Sequence, residues 1–353
     1  MIETETDFLT TSQAALLLQV HESSVKRWSN SGELKLEKTS GGHRRIRFEA
    51  LLDFARAKDP GGDLLFFAPH EEEVARAALD ARDRNQFDGV GELILRFCDT
   101  EPPRWLAHLI RYLEGPCGIP LTRIFDAGIG GALADVGTQW QNGSRTIALE
   151  HRFTQKILDA LHAILTHLED VDDAEESAEQ ALRAVHALDP KNAVASDRGT
   201  VEGRKRPHAV VGCSEGCHHE IGALMARILL QRAGWSVTYL GANVPFEEMA
   251  GIQELERAQV MCVSFVSPLG AGDVRRCLKV LNALQQPNAP YRLVTGGLSY
   301  LAGTEDQYET RIPIKFVESM EGFERWFRTQ FAKELARAAN FRNAVAGVAG
   351  VPR

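Results

Sequence analysis

Three groups of residues have types and spacings that could do chemistry. The first centres on His219, in the run Ser214-Glu215-Gly216-Cys217-His218-His219-Glu220-Ile221-Gly222. An imidazole titrates near neutral pH and is a common metal ligand. Cys213 and Cys217, four residues apart, suit either a redox pair or two small loop residues. The second group is Glu150-His151, which follows Trp140 after nine residues. An indole offers a flat apolar wall for a planar ligand. Taken alone, a Glu-His pair on a helix is also what a satisfied surface or core pair looks like. The third group is basic. Ser23 to Arg47 holds seven basic residues (Lys26, Arg27, Lys35, Lys38, Arg44, Arg45, Arg47) against Glu33 and Glu37. The whole chain carries a net charge of -8, so attraction to a polyanion has to be local. A basic face on an acidic chain is what phosphate-backbone binding requires; a solvated charged surface is the plain alternative.

Each group needs an element to hold it. Thr10 and Gln13 have capping-box spacing ahead of the apolar stretch Ala14 to Leu18. A short turn, Gln19 to Glu22, leads into Ser23 to Trp28, which reads as helix, tight turn, helix. The pair Gly41-Gly42 fits a hairpin tip between basic flanks, and a further helix is expected from about Phe48. From about Ala68 to Leu168 the chain reads as helices punctuated at Glu101-Pro102-Pro103 and Gly115-Pro116. Trp140 and Asn142-Gly143 end one helix. Glu150-His151 are expected two turns into the next, whose apolar face is Ile147, Thr154, Leu158, Leu161, Leu165 and Leu168. Glu169 to Glu179 holds seven acids and no Lys or Arg. A possible short helix follows to Leu188, then a polar stretch to Pro207 that reads as a flexible linker. After His208, short Val-rich strands alternate with amphipathic helices, which argues a doubly wound parallel sheet. In such sheets the ligand sits beyond the carboxyl ends of the strands.

Composition narrows the classes. The chain of 353 residues is long enough for two or three domains. No apolar run approaches the roughly 20 residues that span a bilayer, and the acidic start MIETETDFLT lacks a signal-peptide core. The six cysteines are scattered, without zinc-type pairs. The expectation is a cytoplasmic protein with free thiols and no membrane partner. No Ser-His-Asp set, P-loop or metal-protease motif is present, so no turnover is expected.

Two resemblances organise these readings. Asp7 to Lys58 resembles the winged helix-turn-helix of the MerR family, whose TxGGHRR wing stands intact as Thr39 to Arg45. The C-terminal part resembles cobalamin-binding domains, whose signature is DxHxxG, then about forty-one residues, SxL, then a little under thirty, GG. Here Cys217 to Gly222 is followed by Ser264-Phe265-Val266 and by Gly296-Gly297 in matching register. The Trp140, Glu150 and His151 spacing matches the helical half of cobalamin photoreceptors. Together the chain resembles the CarH/CarA/LitR group of light-responsive regulators.

That resemblance implies a winged helix-turn-helix head, a four-helix bundle and a flavodoxin-like, Rossmann-like doubly wound sheet. The expected boundaries are 1–62 for the head, 66–170 for the bundle cap, 171–206 for an acidic, flexible linker, 207–340 for the cobalamin domain and 341–353 for a tail. It implies that Lys26 and Arg27 enter or flank the major groove and that His43, Arg44 and Arg45 grip backbone or minor groove. Trp28 suits packing under the recognition helix better than contact. His219 becomes the lower cobalt ligand of adenosylcobalamin, with Cys217, Gly222, Ser264, Val266, Gly296 and Gly297 around the cofactor. Trp140 and Glu150 face the adenosyl group, and His151 takes cobalt once light has removed it. A dimer or tetramer on an operator in double-stranded DNA, released by light, completes the implied behaviour. One departure stands out: the group has Asp or Glu where this chain has Cys217. A thiol is a poor acceptor unless ionised, so another tetrapyrrole, or a regulator with no cofactor, stays open. A corrinoid methyl carrier for a methyltransferase is the reading from another class; it has no need of a DNA-reading wing.

Overall fold

The computed structural model describes residues 8–38, 44–58, 62–187, 206–266, 269–298, 301–333 and 335, with backbone only over 171–187. The chain divides into two units between Ala160 and Leu161. Among the described residues no helix is long and apolar enough to cross a membrane.

The first unit begins with a small antiparallel sheet, β1 (Phe8–Leu9), β2 (Glu37–Lys38) and β3 (Arg44–Arg47), in the order β1-β3-β2. Thr10 caps α1 (Thr11–Leu17) as its spacing predicts. Its Oγ1 accepts the Gln13 N–H at 3.2 Å, and its own N–H donates to Gln13 Oε1 at 3.0 Å. Helix α2 (Glu22–Ser31) stops at Gly32, whose φ of 79° suits glycine. Helix α3 (Phe48–Lys58) closes the head over Leu17, Val25, Leu34, Ile46 and Leu51, all buried. Burying such a side chain stabilises by roughly 1.5–3 kcal/mol. Side-chain contacts join head to bundle: Arg56 to the buried Glu71 at 3.0 Å, Gln19 to Asp63 at 2.8 Å and Gln13 to Asp83 at 3.3 Å.

The bundle contains α4 (Glu71–Arg84), α5 (Asp88–Thr100), α6 (Pro103–Glu114), α7 (Leu121–Arg123) and α8 (Gly130–Gln141). A π-helical stretch, Ile124–Ile129, joins the last two. Proline at the start of α6 needs no N–H partner. Helix α9 runs unbroken from Ile147 to Ala187, so the possible short helix expected up to Leu188 is the end of this long one. The first half of the supposed linker is helical, and the remainder, 188–205, lies outside the described residues. The buried face is Phe153, Ile157, Ala160, Leu161, Ile164 and Leu165, whereas Ile147 is 58% exposed. The expected stripe was therefore right at Leu161 and Leu165, half-buried at Thr154, Leu158 and Leu168, and wrong at Ile147; the burial spacing of four, three, one, three and one is that of a regular helix face.

The second unit is a five-stranded parallel sheet in the order β5-β4-β6-β7-β8. The strands are β4 (His208–Ser214), β5 (Ser236–Val244), β6 (Val260–Ser264), β7 (Arg292–Gly296) and β8 (Ile314–Phe316). Helices α10 (Ile221–Arg232) and α13 (Met320–Gln330) contact each other, as do α11 (Phe246–Glu256) and α12 (Ala271–Leu284). One cluster of Phe246, Met249, Met261, Val263, Phe265, Leu281 and their neighbours forms the core of the α11–α12 face. Strands β4 and β6 are buried along almost their whole length, as strands covered on both faces are. The order reverses beside β4, so the carboxyl ends of β4 and β6 flank the switch-point crevice.

Candidate functional site

The sheet end gathers one set of expected residues. After Ser214 the chain turns through Gly216, at φ +80°, into α10. Cys217 N–H donates to the Ser214 carbonyl at 2.9 Å, and the Cys217 carbonyl accepts the Asn243 N–H at 2.8 Å. Asn243 Oδ1 takes the Gly216 N–H at 2.8 Å. The loop is thus fixed with Cys217 buried and the His219 imidazole exposed. Ser264, at the end of β6, is in register with Cys213 of β4 and Gly296 of β7. A methyl on Gly222 would lie 3.9 Å from Ser264 Oγ, filling space between α10 and the sheet. Gly297 has φ +92°, and a Cβ there would stand 1.9 Å from the Phe265 carbonyl oxygen, so no other residue fits. The sheet therefore brings His219, Cys217, Gly222, Ser264, Val266, Gly296 and Gly297 to adjacent strand ends. An exposed imidazole above a glycine-lined strand end suits a flat metallocofactor with a long tail.

The charges of this loop are specific. The hydrogen bond from the Cys213 thiol lowers the Cys217 pKa most; burial opposes it, and contacts from His219 and the Val266 N–H assist. The same bond, with burial, raises Cys213. Of the two nearby carboxylates, Glu220 accepts the Tyr239 hydroxyl at 2.7 Å, and Glu215 pairs with Arg276 at 2.6 Å. Burial, then Glu220, pushes the Tyr239 hydroxyl up. Motif spacing gave no sign of Tyr239, since it comes from the neighbouring strand.

In the first unit, Trp140 is 49% exposed near the end of α8, and Ile147 and Leu149 are exposed as well. Glu150 and His151 follow within the opening turns of α9, which starts at Ile147, nearer its end than expected. His151 Nδ1 lies 3.2 Å from Glu150 Oε2, and Thr154 Oγ1 donates to Glu150 Oε1 at 2.9 Å. Arg145 organises the intervening turn. Its guanidinium forks onto Asp99 at 3.0 and 3.4 Å, its Nε reaches Gln139 Oε1 at 3.0 Å, and it lies over the buried Phe153 ring. The sequence reading missed Arg145 and Asp99, which are 46 positions apart.

On the head, Lys26 and Arg27 are exposed on α2, with Lys26 3.1 Å from Glu22. Trp28 packs on Phe54 with ring centres 4.8 Å apart, the packing role rather than the contact role. Arg44 donates to Asn30 Oδ1 at 2.8 Å, tying the wing strand to α2. Arg45 pairs across the sheet with Glu37 in register. His43 and the Gly41-Gly42 tip lie outside the described residues.

Residues 8–59 match a helix-turn-helix domain and residues 207–315 a B12 binding domain. The chain is similar to the HTH-type transcriptional repressor CarA of Myxococcus xanthus, 38% identical over 92 residues, 26% of this chain and 31% of that protein. It is also similar to the repressor CarH of the same organism, 28% identical over 155 residues, 44% of this chain and 41% of that protein. The matches thus span less than half the length of these curated relatives. Among solved structures, a monomethylamine corrinoid protein of Methanosarcina barkeri matches at 14% identity with a TM-score of 0.46, over 68% of this chain and 96% of its own. A cobalamin-binding protein of Desulfitobacterium hafniense matches at 14% identity and 0.31, over 72% of this chain and 97% of its own.

Proposed function

We propose that this chain is a transcriptional regulator, a repressor by its likeness, that binds operator DNA through its head and senses a corrinoid through its parallel-sheet domain. The observation that carries this reading is the presence on one chain of a helix-turn-helix match and a B12-binding match. A methyl carrier would leave the basic head without a use. In the finer form of the proposal the ligand is adenosylcobalamin, the protein is cytoplasmic, and light weakens a dimer or tetramer and with it the avidity of several heads for one operator. The domain boundaries expected for head, cap and sheet stand as part of this proposal, with the linker shortened to the residues after α9.

When bound, adenosylcobalamin supplies a cobalt–carbon bond that light can break. The chain's residues do the rest. His219 gives an exposed imidazole to cobalt. Gly222, Gly296 and Gly297 let the backbone approach, and Ser264 offers a hydroxyl to the tail. In the first unit, Trp140 would offer an indole wall to the adenosyl group with Glu150 beside it, and His151 would be the imidazole available to hold the metal once that group is lost. Lys26, Arg27 and Arg45 contact DNA, with His43 at the wing; Arg44 holds the wing against α2.

The test is an absorption spectrum of the full chain with adenosylcobalamin before and after green light, run beside a gel-shift titration of operator DNA in the dark and in the light. The expected result is a bound corrin whose spectrum changes on illumination as DNA is released. DNA binding with no corrin uptake would reduce the protein to a cofactor-free repressor.

A further inference from the structure

The turn that joins α8 to α9 buries a charge, while Trp140 just before it and Ile147 and Leu149 just after it stay exposed. Locally the turn is shaped by Gly143, at φ +76°, and by Asn142 Oδ1, which accepts the Ser144 N–H at 3.0 Å. Those contacts stay within the turn, whereas Arg145 reaches out of it. Its backbone N–H donates to the Gln139 carbonyl at 3.0 Å, and its Nε to Gln139 Oε1 at 3.0 Å. Its two terminal nitrogens fork onto both oxygens of Asp99, near the end of α5, at 3.0 and 3.4 Å. Asp99 Oδ1 also accepts Arg152 Nη2 at 3.3 Å. Gln139 precedes Trp140, and Arg152 follows His151. The residues that bracket Trp140 and the Glu150-His151 pair are therefore tied, directly or through Arg145, to one carboxylate.

The Arg145 side chain is 10% exposed, and its guanidinium lies over the ring of the fully buried Phe153. A buried ion pair is a weak source of stability, and its replacement by apolar groups is often neutral. What a forked pair supplies is direction, because a planar guanidinium bonded to both oxygens fixes angle as well as distance. Other contacts already hold α9 to the bundle: Phe153 and Ile157 are buried, and Lys156 Nζ donates to the Glu101 carbonyl. We propose that Arg145 and Asp99 are positioning residues, a clamp that sets the separation of Trp140 from the Glu150-His151 pair. The clamp fixes the backbone that carries the His151 imidazole and leaves the ring free to turn. What Trp140, Glu150 and His151 then do to a ligand rests on the corrinoid reading; the clamp itself does not.

The experiment compares the full-length parent, Arg145→Lys and Arg145→Ala in two measurements. Arg145→Lys keeps the charge and cannot fork. Hydrogen–deuterium exchange of the ligand-free proteins is followed in a peptide spanning 139–150, with 71–84 and 154–165 as internal references. Both variants should exchange roughly tenfold faster in 139–150 and like the parent in the two references. Adenosylcobalamin titrated in the dark should bind both variants roughly two- to tenfold more weakly, and the imidazole-ligated spectrum after green light should be weakened. Parent-like exchange in 139–150 overturns the clamp. Equal acceleration in the references overturns it too, by reducing Arg145 to general stability, and a parent-like Arg145→Lys does so by reducing the fork to bare charge. Where the parent binds corrinoid, faster exchange beside parent-like dark affinity and photoproduct overturns the positioning role. If Arg145→Ala does not fold, Arg145→Lys and Asp99→Asn, which keeps the shape of the carboxylate, decide by the same readings. Faster exchange in 139–150 beside a parent that takes up no corrinoid would keep the clamp and remove the corrinoid reading.

Discussion

His219 and His151 are held in opposite ways. His219 stands on a loop whose backbone is held by Ser214 and Asn243, and its own carbonyl accepts from the buried Cys213 thiol at 3.6 Å. His151 stands on the open surface of a helix, its side chain 73% exposed and its ring beside Glu150 alone among the contacts described. The first arrangement fixes the loop that carries an exposed imidazole before anything binds. The second leaves an imidazole free to change partner. On the proposed function, one imidazole would be held ready for the ligand while the other stays free to change partner, and this asymmetry fits that division.

The largest expected effect breaks the fixed side. Gly297→Ala would place a methyl 1.9 Å from the Phe265 carbonyl oxygen at a φ of +92°. It should destabilise the second unit by on the order of 3 kcal/mol or more, and with it corrinoid uptake. A parent-like melting temperature would show that the two strand ends are not in contact.

Next come the two histidines themselves. His219→Ala should abolish or greatly weaken corrinoid binding without altering the melting temperature of the ligand-free chain. His151→Ala should bind the dark cofactor like the parent and differ only in the spectrum after green light. Identical photoproducts would remove His151 from the mechanism. Equal losses of dark affinity in the two variants would erase the contrast between fixed and free ligand.

The same contrast explains what could be read from the sequence. The motif that the chain shares with cobalamin-binding domains pointed to Gly222, Ser264 and Gly296, and the parallel strands set Ser264 in register with Gly296. Tyr239 could not be found this way, because its meeting with Glu220 depends on the edge strand β5 lying beside β4. On helix α9 the reading found Leu161 and Leu165 on the buried face, but near the first turns, where few apolar residues fix the phase, Ile147 was taken for core and Phe153 passed over. The capping box at Thr10 was legible because it is local, and the Arg145–Asp99 fork was not, because it joins the end of α5 to a turn beyond α8. In the acidic stretch after Glu169 composition suggested a linker, yet α9 continues to Ala187.

A moderate effect separates contact from support in the head. Arg45→Ala should lower operator affinity and flatten its salt dependence by a log-log slope of about one. Asn30→Ala removes the partner of Arg44. It should lower affinity with the slope unchanged, because no phosphate contact is deleted. Gel-shift titrations over a range of salt read both numbers, and a slope change of the same size in Asn30→Ala would mean that Arg44 itself holds a phosphate.

The smallest effect lies in the bundle, at His108, whose fixed surroundings resemble those of the sheet end more than those of His151. Its ring packs at a tilt against Phe66 with centres 4.0 Å apart, and its Nε2 is 3.4 Å from the Asp63 carbonyl and 3.8 Å from that residue's carboxylate. Burial lowers its pKa below the usual 6.5 and outweighs the Asp63 contacts, which act the other way. The folded chain therefore favours the neutral ring. Above pH 6.5 the ring is neutral in both states, and this contribution to stability is fully present. As pH falls below 6.5 the unfolded chain takes up the proton first, so stability declines until the lowered folded value is passed. His108→Phe keeps an aromatic ring and removes the titration. Urea unfolding of parent and variant between pH 8 and pH 5 should show a shallower acid decline in the variant. An equally steep decline would assign the acid sensitivity to other groups and leave His108 as packing alone.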